Sequence, residues 1–270
     1  MADPVAAQLP LATESVGRNA RPPRLSASLG LVLGYWWVAT GLTIAVQQRD
    51  ATRVLALWIT SALAILGVAL VVRSRDDTTP QAARQAFFGA ALIWWWGAAI
   101  FYGGVGLRLP SVAAGAHGSA ELAWHAIAAT ARADLLMVAA LALLTVLVWC
   151  RPNRVALWTL AAFWGTLQTA KLNVFFGVRN SGAEMLPAHL TGLSVFFGPP
   201  RNSALLTPTL LLLTALAIWL VRRTIYARSP FVRHAMGMMS LLLVLALVEH
   251  VALGVPMRLP LWDVFAGTAP

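Results

Sequence analysis

Six ionisable side chains lie inside long apolar stretches of this sequence, where a charge is costly and a functional role is therefore expected. A charged side chain within a bilayer costs several kcal/mol unless it is paired, so each such residue indicates an ion pair, a ligand or a proton path. The six are predicted to form one polar cluster between membrane-spanning helices. Gln168 and Asn173 are candidates to join this cluster. Its members are His125, Arg132, Asp134, Lys171, Glu249 and His250.

Helix geometry predicts how these residues pair. His125 and Arg132 are seven residues apart and share a helix face, whereas Asp134 points about 200° away from Arg132. Lys171 and Glu249 are then free to meet from two other helices. We expect an ion pair between them that locks the bundle.

The two histidines allow a second interpretation. Neutral imidazoles on two helices at similar depth suit the metal of a haem or a bacteriochlorophyll-type pigment. His125 and His250 are therefore candidate axial ligands, and a bound quinone is a related alternative. The sequence alone leaves the ion-pair and cofactor interpretations open, and it predicts no other metal site.

A polar block follows Lys171 and is predicted to bind a partner protein. Leu186, Leu190, Leu193 and Phe197 follow the spacing of a short amphipathic helix lying at the membrane surface, and Pro199 ends it. We predict a docking and bundle-locking role for the block rather than catalysis. Its candidate residues are Lys171, Asn173, Arg179, Asn180, Glu184, Leu186, Pro187, His189 and Leu190.

The elements that position these residues are membrane spans. Hydrophobic residues make up 59% of the 270-residue chain and charged residues 11%. Because crossing about 30 Å of hydrocarbon takes roughly 20 apolar residues, we predict an all-α, polytopic membrane protein. Residues 1–27 are expected to be a flexible cytoplasmic tail and residues 28–270 a single transmembrane domain. The seven predicted spans are Leu29–Val46, Val54–Val72, Phe87–Leu107, Leu122–Trp149, Val155–Phe176, Leu205–Val221 and Ala235–Leu253.

Charge distribution predicts the orientation in the membrane. With seven spans, twelve arginines fall on the side of the N-terminus and six on the other. Since basic loops remain in the cytoplasm, we expect a cytoplasmic N-terminus and a periplasmic C-terminus. The net charge of +10 comes from basic residues that lie singly between the spans and form no continuous basic stripe, which argues against nucleic acid as a partner.

The sequence carries no motif of an enzyme. It has no His-rich box, paired acidic motif, phosphate-binding glycine loop or nucleophile elbow. The single cysteine, Cys150, excludes an intramolecular disulfide and a cysteine-based metal site. We therefore expect a protein that is not an enzyme by itself, although an accessory subunit of an enzyme complex fits equally well.

The block from Lys171 to Asn180, followed by Glu184, Leu186-Pro187 and His189-Leu190, resembles the PuhE-type photosynthetic complex assembly proteins. Weaker similarities are Trp36-Trp37 with Thr40-Gly41, and Glu249-His250 followed by Pro256 and Pro260. Family members often carry a Gln-Glu after the tryptophans of span three and a His-Glu pair in span four. Here those regions read Trp96-Gly97-Ala98 and Arg132-Ala133-Asp134, so no metal or redox role is transferred.

The resemblance implies a membrane accessory subunit that helps to build the bacterial photosynthetic apparatus in the inner, photosynthetic membrane. Its partner would be reaction-centre or light-harvesting subunits, or a membrane enzyme of bacteriochlorophyll biosynthesis such as the oxygen-dependent cyclase. The alternative is a redox or tetrapyrrole-binding membrane protein that carries haem, quinone or pigment.

Overall fold

The structure, a computed structural model, describes residues 24–47, 50–105, 107 and 119–256. In these ranges the chain forms seven long α-helices and two short 3₁₀ helices, and no strand. The shorter 3₁₀ helix is Ala183–Met185, and the longer one, Ala188–Phe196, is named the loop helix here. The α-helices are α1 (Leu25–Gln47), α2 (Asp50–Ser74), α3 (Pro80–Tyr102), α4 (Ser119–Val148), α5 (Val155–Phe176), α6 (Leu206–Ile225) and α7 (Pro230–Gly254).

Each of the seven predicted spans overlaps one of these helices. The largest difference is at α3, which begins seven residues before the predicted Phe87, after the capping Thr79, and ends five residues before Leu107. Within the described residues, six of the helices are long and apolar enough to cross a membrane, as a polytopic membrane protein requires. The exception is α5, which carries the polar residues Gln168, Lys171 and Asn173 in its second half. The all-α prediction is confirmed for this part of the chain, and crossing by α5 stays a prediction.

Two predictions concern segments that the structure describes only in part. The cytoplasmic tail was predicted over residues 1–27, of which the described part begins at Arg24. The chain beyond residue 256, including Pro260, also lies outside the described residues. That residues 28–270 form one transmembrane domain stays a prediction.

Helix α3 lies at the centre of the bundle, in contact with α2, α4, α5 and α7. It is the most buried of the six candidate spans because its inward faces carry small residues, among them Ala83, Ala86 and Ala90. Its contact with α2 is especially close. A Cβ atom at Gly67 would lie 2.5 Å from the carbonyl oxygen of Gly89, so the two backbones meet at a distance that only glycine permits.

One end of the bundle is held together by a buried asparagine. Asn153, in the turn between α4 and α5, donates its side-chain amide to the carbonyl oxygens of Ser74 and Ala82. Its side-chain oxygen accepts from the backbone N–H of Val155. The α2–α3 and α4–α5 turns are thereby joined, which fixes α5 relative to the central helix.

The loop helix differs from the predicted surface helix. It is a 3₁₀ helix, so its buried residues repeat every three positions: Leu190, Leu193 and Phe196. These side chains pack with Phe175 and with alanines near the start of α4. The apolar face of this helix was predicted to lie on the membrane. In the structure it packs on the bundle instead, because the alanines of α4 leave an apolar surface there.

Candidate functional site

The centre of the polar cluster is a close ion pair between α4 and α5. The ammonium group of Lys171 lies 2.5 Å and 2.7 Å from the two carboxylate oxygens of Asp134. Both side chains are largely buried, with 10% and 21% of their surface exposed. Gln168 donates to the same carboxylate at 2.7 Å and Thr130 at 3.2 Å. The charge of Asp134 is therefore fully satisfied inside the protein.

The predicted pair between Lys171 and Glu249 is wrong. Glu249 lies on α7, where its carboxylate accepts a hydrogen bond of 2.8 Å from the indole N–H of Trp36 on α1. Lys171 faces α4 instead, where Asp134 offers both carboxylate oxygens, and its ammonium group lies 5.5 Å from the ring centre of Phe101. Among the described residues, no cation pairs with Glu249.

The two histidines occupy different surroundings. His250 is buried, its Nδ1 donates to the carbonyl oxygen of Ala246 at 2.7 Å, and its Nε2 lies 3.0 Å from the hydroxyl of Thr169. His125 is half exposed and lies 3.9 Å from Glu121. A metal at His250 would have to displace a protein hydrogen bond, so the structure gives the axial-ligand interpretation no support.

The predicted cluster thus divides into separate parts. Asp134 and Lys171 form its core with Gln168, while Glu249 lies beside Trp36 and His250 beside Thr169. Arg132 is exposed, on a different face of α4 from Asp134, as the angular argument predicts. His125 lies at the surface near the start of the same helix.

A small cavity adjoins the ion pair between α3, α4 and α5. It is lined by Trp94, Trp164 and Asp134, among others, and its volume of about 10 Å³ is that of a single water molecule. The indole N–H groups of Trp94 and Trp164 are buried and have no hydrogen-bond partner in the described part of the chain. The cavity as it stands is far too small for a tetrapyrrole.

Most of the polar block after Lys171 holds the ends of the helices together. Asn173 is buried and donates to the carbonyl oxygen of Thr169 and to the hydroxyl of Thr209 on α6. Asn180 donates through its side chain to the carbonyl oxygen of Ala252 on α7. These bonds connect α5 with α6 and α7.

The second half of the block contacts α3. His189 donates from Nε2 to the carbonyl oxygen of Tyr102 at 2.8 Å, at the point where α3 ends. Leu190 and Pro187 are buried and Leu186 is half-buried, whereas Glu184 is exposed.

Arg179, in the first half of the block, is exposed too, and its backbone N–H donates to the side chain of Asn202. Arg179 and Glu184 are the exposed candidate residues of the block, and its role in binding a partner stays a prediction.

Sequence reasoning did not predict the contacts of two residues that join separate parts of the bundle, Trp36 and Asn153. Trp36 lies in the middle of α1, and its indole N–H donates a hydrogen bond to the carboxylate of Glu249 on α7, more than 200 residues away in the chain. Asn153 joins two turns. The available signals were a tryptophan far from either end of its span and a buried amide in a turn, and neither reveals its partner.

Comparisons with known proteins identify a family and a similar bacterial protein. The model of a family described as "Protein of unknown function (DUF3623)" matches residues 24–267. A protein of Rhodobacter capsulatus, described as "Uncharacterized 30.4 kDa protein in puhA 5′region", is 32% identical over 130 residues, which is 48% of this chain and 44% of the relative. The chain thus matches less than half of that relative's length. No solved structure matches significantly. Because the family match covers residues 24–267 and thus most of the sequence, the chain belongs to the DUF3623 family.

Proposed function

We propose that this protein is a membrane accessory subunit that helps to assemble the bacterial photosynthetic apparatus by binding another membrane protein through the face formed by α1 and α7. Two kinds of support lead to this proposal: the gene region of a relative, and an exposed carboxylate, that of Glu249, which no cation pairs with among the described residues. The protein acts by binding and not as an enzyme of its own.

The gene region supports the link to photosynthesis. The relative from Rhodobacter capsulatus lies in the 5′ region of puhA, a photosynthesis gene region. The resemblance of the Lys171 block to PuhE-type assembly proteins points to the same process. The candidate partners are reaction-centre or light-harvesting subunits and a membrane enzyme of bacteriochlorophyll synthesis such as the oxygen-dependent cyclase.

The observation that carries the docking proposal is the exposure of Glu249. Its side chain is exposed although it lies on the same face of α7 as the buried Ala246 and Ala252, and within the described residues its hydrogen bond comes from Trp36 alone. Glu249 is five residues from the end of α7, which places it about 8 Å along the helix from that end. A carboxylate at this depth would normally face the interior of a bundle or a polar partner.

The surroundings of Glu249 define the partner. Val248 and Val251 are 52% and 46% exposed and share the outward face of α7, which lies about 100° or more around the helix from Glu249. An apolar surface therefore adjoins the face that carries the carboxylate. This combination fits a transmembrane helix that carries one hydrogen-bond donor or cation at the matching depth. With the predicted orientation, the contact lies in the periplasmic half of the membrane.

Site-specific photo-cross-linking tests the proposal. A photoreactive amino acid replaces Val248 in the tagged full-length chain, produced in a phototrophic bacterium, and covalent adducts are identified by mass spectrometry. We expect an adduct with a reaction-centre, light-harvesting or pigment-synthesis membrane protein. Glu249→Gln should reduce its yield, because a neutral amide binds a cation poorly.

The matched control is the same photoreactive residue at Val146 on α4. Val146 is 83% exposed and equally apolar, yet no acidic residue lies within four positions of it in the chain. Equal adducts at both positions would show nonspecific capture and contradict the docking face. An adduct at Val248 with a protein unrelated to photosynthesis would retain the face but refute the photosynthetic role.

A further inference from the structure

A second surface lies at the opposite end of α7 from Glu249. An open cavity of about 570 Å³ lies beside the turn that joins α6 to α7. Three arginines line it, and none of its lining residues is acidic.

We propose that this cavity binds the phosphate group of an anionic phospholipid. The guanidinium groups of Arg222, Arg223 and Arg228 supply positive charge that no lining residue neutralises. Guanidinium groups hold phosphate oxygens through paired hydrogen bonds, which makes arginine well suited to this ligand. Basic pockets between transmembrane helices are known to hold anionic lipid head groups.

The start of α7 strengthens the site. Ser229 precedes the helix and makes no capping hydrogen bond with its side chain, and Pro230 occupies the first position. The first N–H groups of a helix carry a partial positive charge that favours an anion. Because Ser229 and Val232 line the cavity, this end of α7 faces the same space as the arginines.

The remaining lining favours a lipid over a soluble anion. Ile218 and Trp219 on α6 are 55% and 52% exposed, and they lie one to two turns before the arginines. Arg223 lies 5.6 Å from the ring centre of Trp219, so its charge is held above an aromatic surface that continues into the membrane span. Phosphate at the arginines and acyl chains along the apolar residues would occupy the site together.

Lipid binding to the full chain in detergent tests the proposal, measured by native mass spectrometry. Dioleoylphosphatidylglycerol should bind more tightly than dioleoylphosphatidylcholine. Arg223→Gln and Arg228→Gln should each weaken binding of the anionic lipid by about fivefold, the worth of one basic residue near an anionic head group.

The matched control is Arg154→Gln. Arg154 also lies above a tryptophan, 5.3 Å from the ring centre of Trp149, but it does not line the cavity. Unchanged binding in this variant supports the site. Equal affinity for the two lipids, or equal losses in Arg154→Gln and Arg223→Gln, would overturn it.

A third arm separates the two sources of phosphate. Millimolar inorganic phosphate should displace little of the anionic lipid, because it lacks acyl chains that contact Ile218 and Trp219. Complete displacement would show a site for soluble phosphate and overturn the lipid assignment. Retained helical content and a single size-exclusion peak in each variant ensure that a loss of binding is not a loss of folding.

Discussion

Replacing Lys171 with methionine is expected to destabilise the helical bundle. The substitution removes the ammonium group that bridges both oxygens of Asp134, at 2.5 Å and 2.7 Å. The carboxylate then remains in a place where only 21% of its side-chain surface is exposed. An uncompensated charge in such surroundings is costly, and the chain must protonate it or open the structure to solvate it.

The structure sets the magnitude of this loss. Removing one partner of a fully buried ion pair costs about 3–5 kcal/mol. Asp134 would keep its hydrogen bonds from Gln168 and Thr130, so we expect about 2–3 kcal/mol for Lys171→Met. The double variant Asp134→Leu/Lys171→Met removes both charges and should lie within about 1 kcal/mol of the wild type.

The assay is detergent-induced unfolding of the purified full chain, followed by circular dichroism. Arg132→Met is the matched control: Arg132 is exposed on the same helix, and its loss should change stability by less than about 0.5 kcal/mol. Wild-type stability of Lys171→Met would refute the structural role of the pair. Rescue of Lys171→Met by Glu249→Gln, and not by Asp134→Leu, would show that Lys171 pairs with Glu249 after all.

Two further predictions concern packing and orientation. Gly67→Ala should lower stability by about 1–3 kcal/mol, because the added Cβ would lie 2.5 Å from the carbonyl oxygen of Gly89. Gly165→Ala, where nothing lies within 4 Å, is the control and should not destabilise; equal melting temperatures of the two variants would contradict the close α2–α3 contact. The single cysteine, Cys150, is exposed after α4 and should react with a membrane-impermeant maleimide in inverted vesicles but not in intact cells. The reverse pattern would refute the cytoplasmic N-terminus.

The long helices could be predicted from the sequence because bilayer thickness and apolar length determine them almost alone. The loop helix could not. Leu186, Leu190 and Phe197 fit the period of an α-helix, but Leu190, Leu193 and Phe196 fit a 3₁₀ helix equally well. Contact with the alanines of α4 selected the second pattern, and a single sequence does not report which surface a loop will cover.

The partner of Lys171 could not be predicted for a related reason. Depth estimates from sequence assume that helices begin at a common plane, yet α4 is 30 residues long and its first part packs against the loop helix. Asp134, near the middle of α4, therefore lies level with Lys171, five residues from the end of α5. This leaves Glu249 without the cation that the sequence assigned to it. Under the proposed function this exposed carboxylate is available to a partner, whereas the satisfied carboxylate of Asp134 stabilises the fold.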